Sequence, residues 1–229
     1  RLLPALYVML SLLAVYLTAF SPVVREQVRG DFLGGVTYVS NWYQILVGQG
    51  YASAEAMVPL RHLWSLAVEE QFYLVWPLVV LFVLARTRRS TPSIGLRLIG
   101  VSLGLNVLMG VLFAGGFVPL SCSTESSNGY WHLFGRCVNV NDTLYLSSVT
   151  RAGGLMLGAG FAMFWRPNAI MRGRMRHRGR TLDLCAFVAL VALLAAFWSM
   201  YLFDQGRYNA FLFRGGFFLV GLLTLVLIA

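Results

Sequence analysis

The stretch Leu63-Trp-Ser-Leu-Ala-Val-Glu-Glu-Gln-Phe-Tyr-Leu-Val-Trp-Pro-Leu-Val-Val-Leu-Phe-Val-Leu-Ala85 decides the class of this protein. Its only charges are Glu69 and Glu70, and it exceeds the about 20 residues that a helix needs to cross the roughly 30 Å hydrocarbon core of a bilayer. Wound as a helix at about 100° per residue, it stacks Ser65, Glu69 and Tyr73 on one face, with His62 one turn ahead of Ser65. Glu70 leaves the helix in a different direction. His62 and Glu69 share a face but lie roughly 10 Å apart along the axis, too far to bond directly in a regular helix. Pro77 is expected to kink the helix near its inner end. Trp64, Phe72, Tyr73 and Trp76 read as packing residues and interface anchors rather than as a stacking platform.

Working outward, the same apolar length recurs in Leu2–Phe20, Ile94–Phe117, Ser147–Trp165, Leu182–Phe203 and Ala210–Ala229. The composition agrees: 58% of the 229 residues are hydrophobic and 12% charged, with a mean hydropathy of +0.71. Soluble domains are nearer one quarter charged. The expected fold is therefore an all-α, polytopic transmembrane helix bundle, with no soluble domain within the chain. A shorter segment, Leu33–Gly48, carries Asn41, Gln44 and a glycine pair. The sequence opens on Arg1 and ends inside an apolar run, so it reads as an excerpt of a longer protein, residues 1–229 being the central part of one membrane-embedded domain.

Loop charges set the expected topology. The net charge of +9 comes from 18 basic residues, all arginine, against 9 acidic ones. Arginines 86, 88, 89 and 97, and then 166 to 180, have no acidic neighbours, which places both loops in the cytoplasm. The loops around Arg25 and Arg29, Arg136 and Arg207 are balanced by carboxylates and belong outside. If Arg1 is inside and all the segments cross, the Arg86–Arg97 loop falls on the wrong side. It falls on the right side if Leu33–Gly48 enters and leaves on one face, giving about six crossings; irregular backbone is tolerated at membrane depth where protein buries it or a cavity receives it. The alternative is Arg1 outside with every segment crossing. The basic runs lie in short loops without interleaved aromatics, so nucleic acid is excluded as a partner; the bilayer is the partner instead. Cys122 and Cys137 share the expected exterior loop and are expected to form a disulfide there, while Cys185 sits near the cytoplasmic end of its helix. His132 lies between the first two, but no zinc-ligand spacing is present, and no metal is expected.

Ionisable groups within spanning segments are costly, and each is by default a functional candidate. Glu69 and Glu70 lie about two turns into their helix, and Arg151 and Arg214 about one turn into theirs; all four fall in the outer half under this topology. They form either a site or a set of structural ion pairs that locks the bundle. There is no phosphate-binding glycine loop, no His-Glu-x-x-His pair and no nucleophile elbow. The glycines at 153, 154, 158 and 160 read as close helix packing.

The run from His62 to Leu78 resembles the signature of the acyltransferase-3 family of integral-membrane acyltransferases. Weaker likenesses flank it. Arg1-Leu-Leu-Pro4 is similar to the end of a basic element of that family, Val39-Ser-Asn-Trp42 to the segment ahead of the signature, and Tyr145–Gly158, with Thr150-Arg151-Ala152, to a later arginine-bearing helix. The resemblance implies transfer of an acyl group, commonly acetyl, from acyl-CoA to a hydroxyl of a cell-envelope glycan or glycolipid, in the bacterial inner membrane and with no bound cofactor. The catalytic histidine of the family has no counterpart in these residues, and His62 does not fill its place. The resemblance leaves Glu69 to orient that base, with Tyr73 beside it, and leaves Arg1, Asn41, His62, Ser65, Glu70 and Arg151 as donor- or acceptor-binding candidates. A transporter or a non-catalytic scaffold using Glu69, Glu70 and Arg151 as a charge network is the rival reading. Transporters commonly carry internal repeats and paired broken helices, and neither is visible here.

The topology has a direct test. Cysteines substituted at Arg25 and at Ala54 should react with a membrane-impermeant reagent from the same face. Labelling from opposite faces would make Leu33–Gly48 a crossing segment.

Overall fold

The apolar stretches fold as helices because a chain in lipid has to satisfy its backbone hydrogen bonds internally. A computed structural model describes residues 2–20, 22–51, 59–86, 91–117, 129–133, 135–165 and 179–229. In chain order the elements are α1 (Leu2–Phe20), α2 (Pro22–Val36), α3 (Ser40–Val47), α4 (Leu63–Arg86), α5 (Thr91–Leu112), β1 (Tyr130–Leu133), β2 (Arg136–Asn139), α6 (Val140–Leu146), α7 (Ser148–Phe164), α8 (Gly179–Ser199), β3 (Phe203–Asp204), β4 (Arg207–Tyr208), a π-helical turn (Leu212–Gly216) and α9 (Phe217–Ile228). The protein is a helical membrane bundle. Among the described residues, α1, α4, α5 and α8 are long and apolar enough to cross a bilayer, and Leu212–Ile228 is a shorter apolar stretch. Pro77 sits inside α4.

The chain forms two compact units. The first comprises Arg1–Val80 and Pro119–Ser148, the second Leu81–Val118 and Val149–Ala229. In the first, Leu6, Leu10 and Leu17 of α1 pack with Val28 of α2 and with Leu60 and Leu63 at the start of α4. A second core joins Ile45, Trp64, Val68, Val138 and Leu146, with Tyr51 and Tyr145 against it. The Trp64 and Tyr145 rings lie 5.1 Å apart, and Trp64 Nε1 donates to the Tyr51 hydroxyl at 3.2 Å. Strands β1 and β2 pair antiparallel, with His132 opposite Cys137. Cys137 is disulfide-bonded and Cys185 is a free thiol; Cys122, the partner expected for Cys137, lies outside the described residues, as does Arg1.

The Leu33–Gly48 segment departs from a single helix. Helix α2 ends at Val36, the chain turns through Tyr38 at a φ of 55°, and α3 begins at Ser40. Eight residues make α3 about 12 Å long, well short of a bilayer crossing. It closes on Gly48, whose φ of 70° lets the cap amide reach back to the Gln44 and Ile45 carbonyls.

In the second unit α5 and α7 cross where both lack side chains. A Cβ on Gly160 would lie 2.7 Å from Ile99 Cγ1 and 2.9 Å from the Gly95 carbonyl. Small residues at such a crossing let the backbones approach in a medium without a hydrophobic driving force between helices. The Ala210–Ala229 segment is broken: Arg214 and Gly215 leave helical geometry, Gly215 at a φ of 129°. The sequence reading anticipated neither this break nor the β3–β4 hairpin, whose turn residues Gln205 and Gly206 both have positive φ. Such a pair supports the turn that matches strand twist.

The crossing makes a stability prediction. Gly160→Val should lower stability in detergent by about 1–3 kcal/mol through overpacking. Gly158→Val, where nothing lies within 4 Å of the new Cβ, should change the thermal midpoint little.

Candidate functional site

Helix α4 is amphipathic only in its first half. Leu63, Trp64, Ala67 and Val68 are buried, while His62, Ser65, Glu69 and Tyr73 are exposed. This is the face that the 100° arithmetic selects, and Tyr73 is 60% exposed on it. Glu70 is half-buried, toward the side where Tyr38 lies close enough to feel its charge. The Ser65 hydroxyl donates to the His62 carbonyl at 3.0 Å. The Phe72 and Trp76 rings stack 5.1 Å apart farther along.

Gln71 sets this orientation. Its Nε2 donates to the Tyr38 carbonyl at 2.7 Å and to Asn41 Oδ1 at 3.0 Å. Its Oε1 accepts from the Ser148 hydroxyl at 2.5 Å and from Trp42 Nε1 at 3.3 Å. Asn41, fully buried, uses its own amide nitrogen on Ser148 Oγ at 2.9 Å and on the Leu146 carbonyl at 3.2 Å. One glutamine thus ties α4 to the α2–α3 turn, to α3 and to the start of α7. The amide of Asn41, a substrate-binding candidate in the sequence, is committed to these protein partners.

The segment between α3 and α4 is pinned by two further buried polar residues. Gln44 Nε2 donates to Ser40 Oγ and to the Arg61 carbonyl, each at 3.1 Å. Asp142, at the start of α6, accepts from the Tyr51 amide at 2.9 Å, and its carboxylate is so close to Gly50 that any side chain there would collide with it. Asp31 is buried to 1% exposure on α2. With the Gln49 amide turned to face it, Nε2 donates to both carboxylate oxygens, at 3.2 and 3.3 Å. Burial pushes the Asp31 carboxyl up from 3.8 to about 6, partly opposed by the Arg61 guanidinium.

Glu69 and Glu70 belong to the first unit, Arg151 and Arg214 to the second. Arg151 is half-buried on α7, its guanidinium 4.7 Å from the centre of the Phe217 ring. Arg214 lies 5.8 Å from the centre of Phe113. Sequence reasoning passed over Asp31, Gln71 and Asp142 as site-forming residues. The available signal for Gln71 was its place on the Trp64–Ala67–Val68 stripe, where an amide in an apolar helix demands partners.

The chain is similar over its full length to proteins of known name. It is 31% identical over 232 aligned positions to the peptidoglycan O-acetyltransferase OatA of Listeria monocytogenes, an alignment that takes in all of this chain and 32% of that protein. It is 28% identical over 230 positions to the O-acetyltransferase OatA of Staphylococcus aureus, covering all of this chain and 33% of the relative. The chain thus spans about a third of the length of the curated relatives it matches. No family model matches it. No solved structure matches it either.

The Gln71 network generates a prediction of its own. Gln71→Leu strands the Asn41 oxygen, the Ser148 hydroxyl and the Tyr38 carbonyl in an apolar interior, at about 1–3 kcal/mol for each group left unpaired. The unfolding midpoint in detergent should fall steeply, and for Gln71→Glu as well, which keeps the accepting oxygen but sets a second, charged oxygen against the Tyr38 carbonyl and Asn41 Oδ1 where Nε2 had donated. A midpoint unchanged by Gln71→Leu would mean that these bonds do not hold α4.

Proposed function

We propose that this chain is the membrane-embedded part of a bacterial inner-membrane O-acetyltransferase. In this reading it carries an acetyl group from cytosolic acetyl-CoA to a hydroxyl of peptidoglycan or a related envelope glycan. The observation that carries the reading is similarity along the whole of this chain to about a third of two named O-acetyltransferases, joined to a carboxylate, Glu69, that α4 presents on an exposed face.

O-acylation needs a base for the hydroxyl proton and donors for the oxyanion of the tetrahedral intermediate. The glycan oxygen attacks the thioester carbonyl as its proton passes to an imidazole. The intermediate then collapses, the carbon–sulfur bond breaks, and the imidazolium returns the proton to the leaving thiolate. The family resemblance assigns that imidazole to a histidine outside these residues. Glu69 is the carboxylate that orients it and stabilises its charged form. Tyr73, one turn along on the same face, borders the reacting groups, while Ser65 and His62 extend the face toward the start of the helix. Glu70, half-buried and facing elsewhere, supports the site rather than the reaction.

Glu69→Gln keeps the shape and one accepting oxygen but removes the charge. Acetyl transfer to native glycan in membranes should fall at least ~100-fold, with the unfolding midpoint unchanged because the side chain is exposed. Glu70→Gln should cost less. Normal turnover by folded Glu69→Gln protein would remove the residue from the mechanism.

A further inference from the structure

The second unit contains two cavities that share walls. One, of about 210 Å³, is bordered by Ser102, Asn106, Arg151 and Phe217; the other, of about 360 Å³, by Asn106, Arg214 and Gly215, and Phe218 lines both. Each therefore has an arginine in its wall, and Asn106 lines both. The larger cavity takes its arginine from the break in the last apolar segment, where Arg214 and Gly215 leave helical geometry. Helix α5 runs close beside the break: a Cβ on Gly110 would lie in van der Waals contact with the Arg214 Cα, at 3.5 Å.

Ser102 adds an independent sign of a ligand. It is fully buried, and its Oγ has no hydrogen-bond partner among the described residues. Three other hydroxyls in apolar helices are paired: Thr18, Ser199 and Thr224 each donate to the carbonyl four residues back. The Ser102 carbonyl is already engaged by Asn106 Nδ2 at 2.9 Å. A buried hydroxyl without a partner costs free energy unless something else meets it.

Charge narrows the ligand. Helices α5, α7 and α9 and the π-helical turn contain no aspartate or glutamate, so the walls of these cavities bring positive charge and no carboxylate. Two guanidiniums suit a group with two negative charges and several acceptor oxygens better than a lone carboxylate. The remaining walls, Met109, Leu157, Phe217 and Phe218 among them, suit an uncharged arm. We infer that Arg151, Arg214, Ser102 and Asn106 form a binding site for the phosphoryl group of an amphiphilic ligand whose apolar or neutral arm lies along the aromatic wall. Two molecules have this chemistry: a coenzyme-A thioester, and a membrane lipid bearing a phosphate or diphosphate head. The ligand class is read from the walls alone; its service as donor or acceptor rests on the acyl-transfer reading.

The test is binding to the full-length protein, with no turnover required. Two probes are titrated separately: coenzyme A with detergent-purified protein by calorimetry, and phosphatidylglycerol in phosphatidylcholine nanodiscs by the number of anionic lipids retained in native mass spectrometry. At least one probe should bind, and Arg214→Gln and Ser102→Ala should each weaken that probe about tenfold or more, with Arg214→Lys intermediate. Coenzyme A alone makes the site a donor site, and the lipid alone makes it a headgroup site. Thermal unfolding controls for folding, and Ser102→Ala, which removes only one oxygen, remains informative if Arg214→Gln does not fold. Glu69→Gln should bind like the parent, so loss of the anion site and failure of the catalytic reading can be told apart. Neither probe binding the parent, or folded variants binding both probes unchanged, would overturn the inference.

Discussion

The side-chain amide of Gln71 has two donor hydrogens and one acceptor oxygen, and the protein uses all of them. In water such bonds exchange for bonds to solvent at little net gain. In an apolar interior the comparison is with an unpaired group, and that asymmetry makes the arrangement binding. Gln71 can pair in full only if the Tyr38 carbonyl, Asn41, Trp42 and Ser148 all stand where they do. The α2–α3 turn, helix α3 and the start of α7 are therefore fixed together by one residue of α4.

Rotation of α4 about its own axis is the quantity so fixed. Holding Gln71 inward, with Trp64 and Val68 on the same stripe in the core, turns Ser65, Glu69 and Tyr73 outward. The aromatic contacts of Trp64 with Tyr145 and Tyr51 reinforce that rotation near the start of the helix. An ionisable residue on a helix long enough to span a membrane needs a partner or water, and the geometry leaves the Glu69 carboxylate free to meet one. The buried polar residues Gln44 and Asp142 hold the backbone at Arg61 and Tyr51, and Asp31 meets Gln49, so they shape the support rather than the exposed face.

The second unit solves its packing differently. Gly95 and Gly160 bring α5 and α7 into backbone contact, and the Phe113, Phe213 and Tyr208 rings fill the space around the broken helix, Phe113 and Phe213 stacked 4.8 Å apart. Phe213 is buried to 1% exposure immediately before the break. The buried phenylalanine anchors one side of the bend while the next residue, Arg214, is exposed at the cavity beside α5. A positive φ at Gly215 is available there because glycine has no Cβ to clash.

The sequence by itself determined the membrane class, the span of α1 residue for residue, α4 to within a residue at its end, and the face that carries Ser65, Glu69 and Tyr73. These follow from apolar length and from helical periodicity, which act locally along the chain. It also marked Leu33–Gly48 as unlike a crossing helix, through the polar and glycine residues that the α2–α3 turn then uses. Only the tertiary structure decided that Asn41 turns its amide to Gln71 and Ser148, that Asp31 is buried beside Gln49, and that the last apolar segment breaks at Arg214. A hydrogen bond between residues 41 and 148, or a cavity shared by α5 and α7, depends on which helices become neighbours. Apolar length and periodicity are the same whichever neighbours a helix takes, so only the assembled bundle could select these partners.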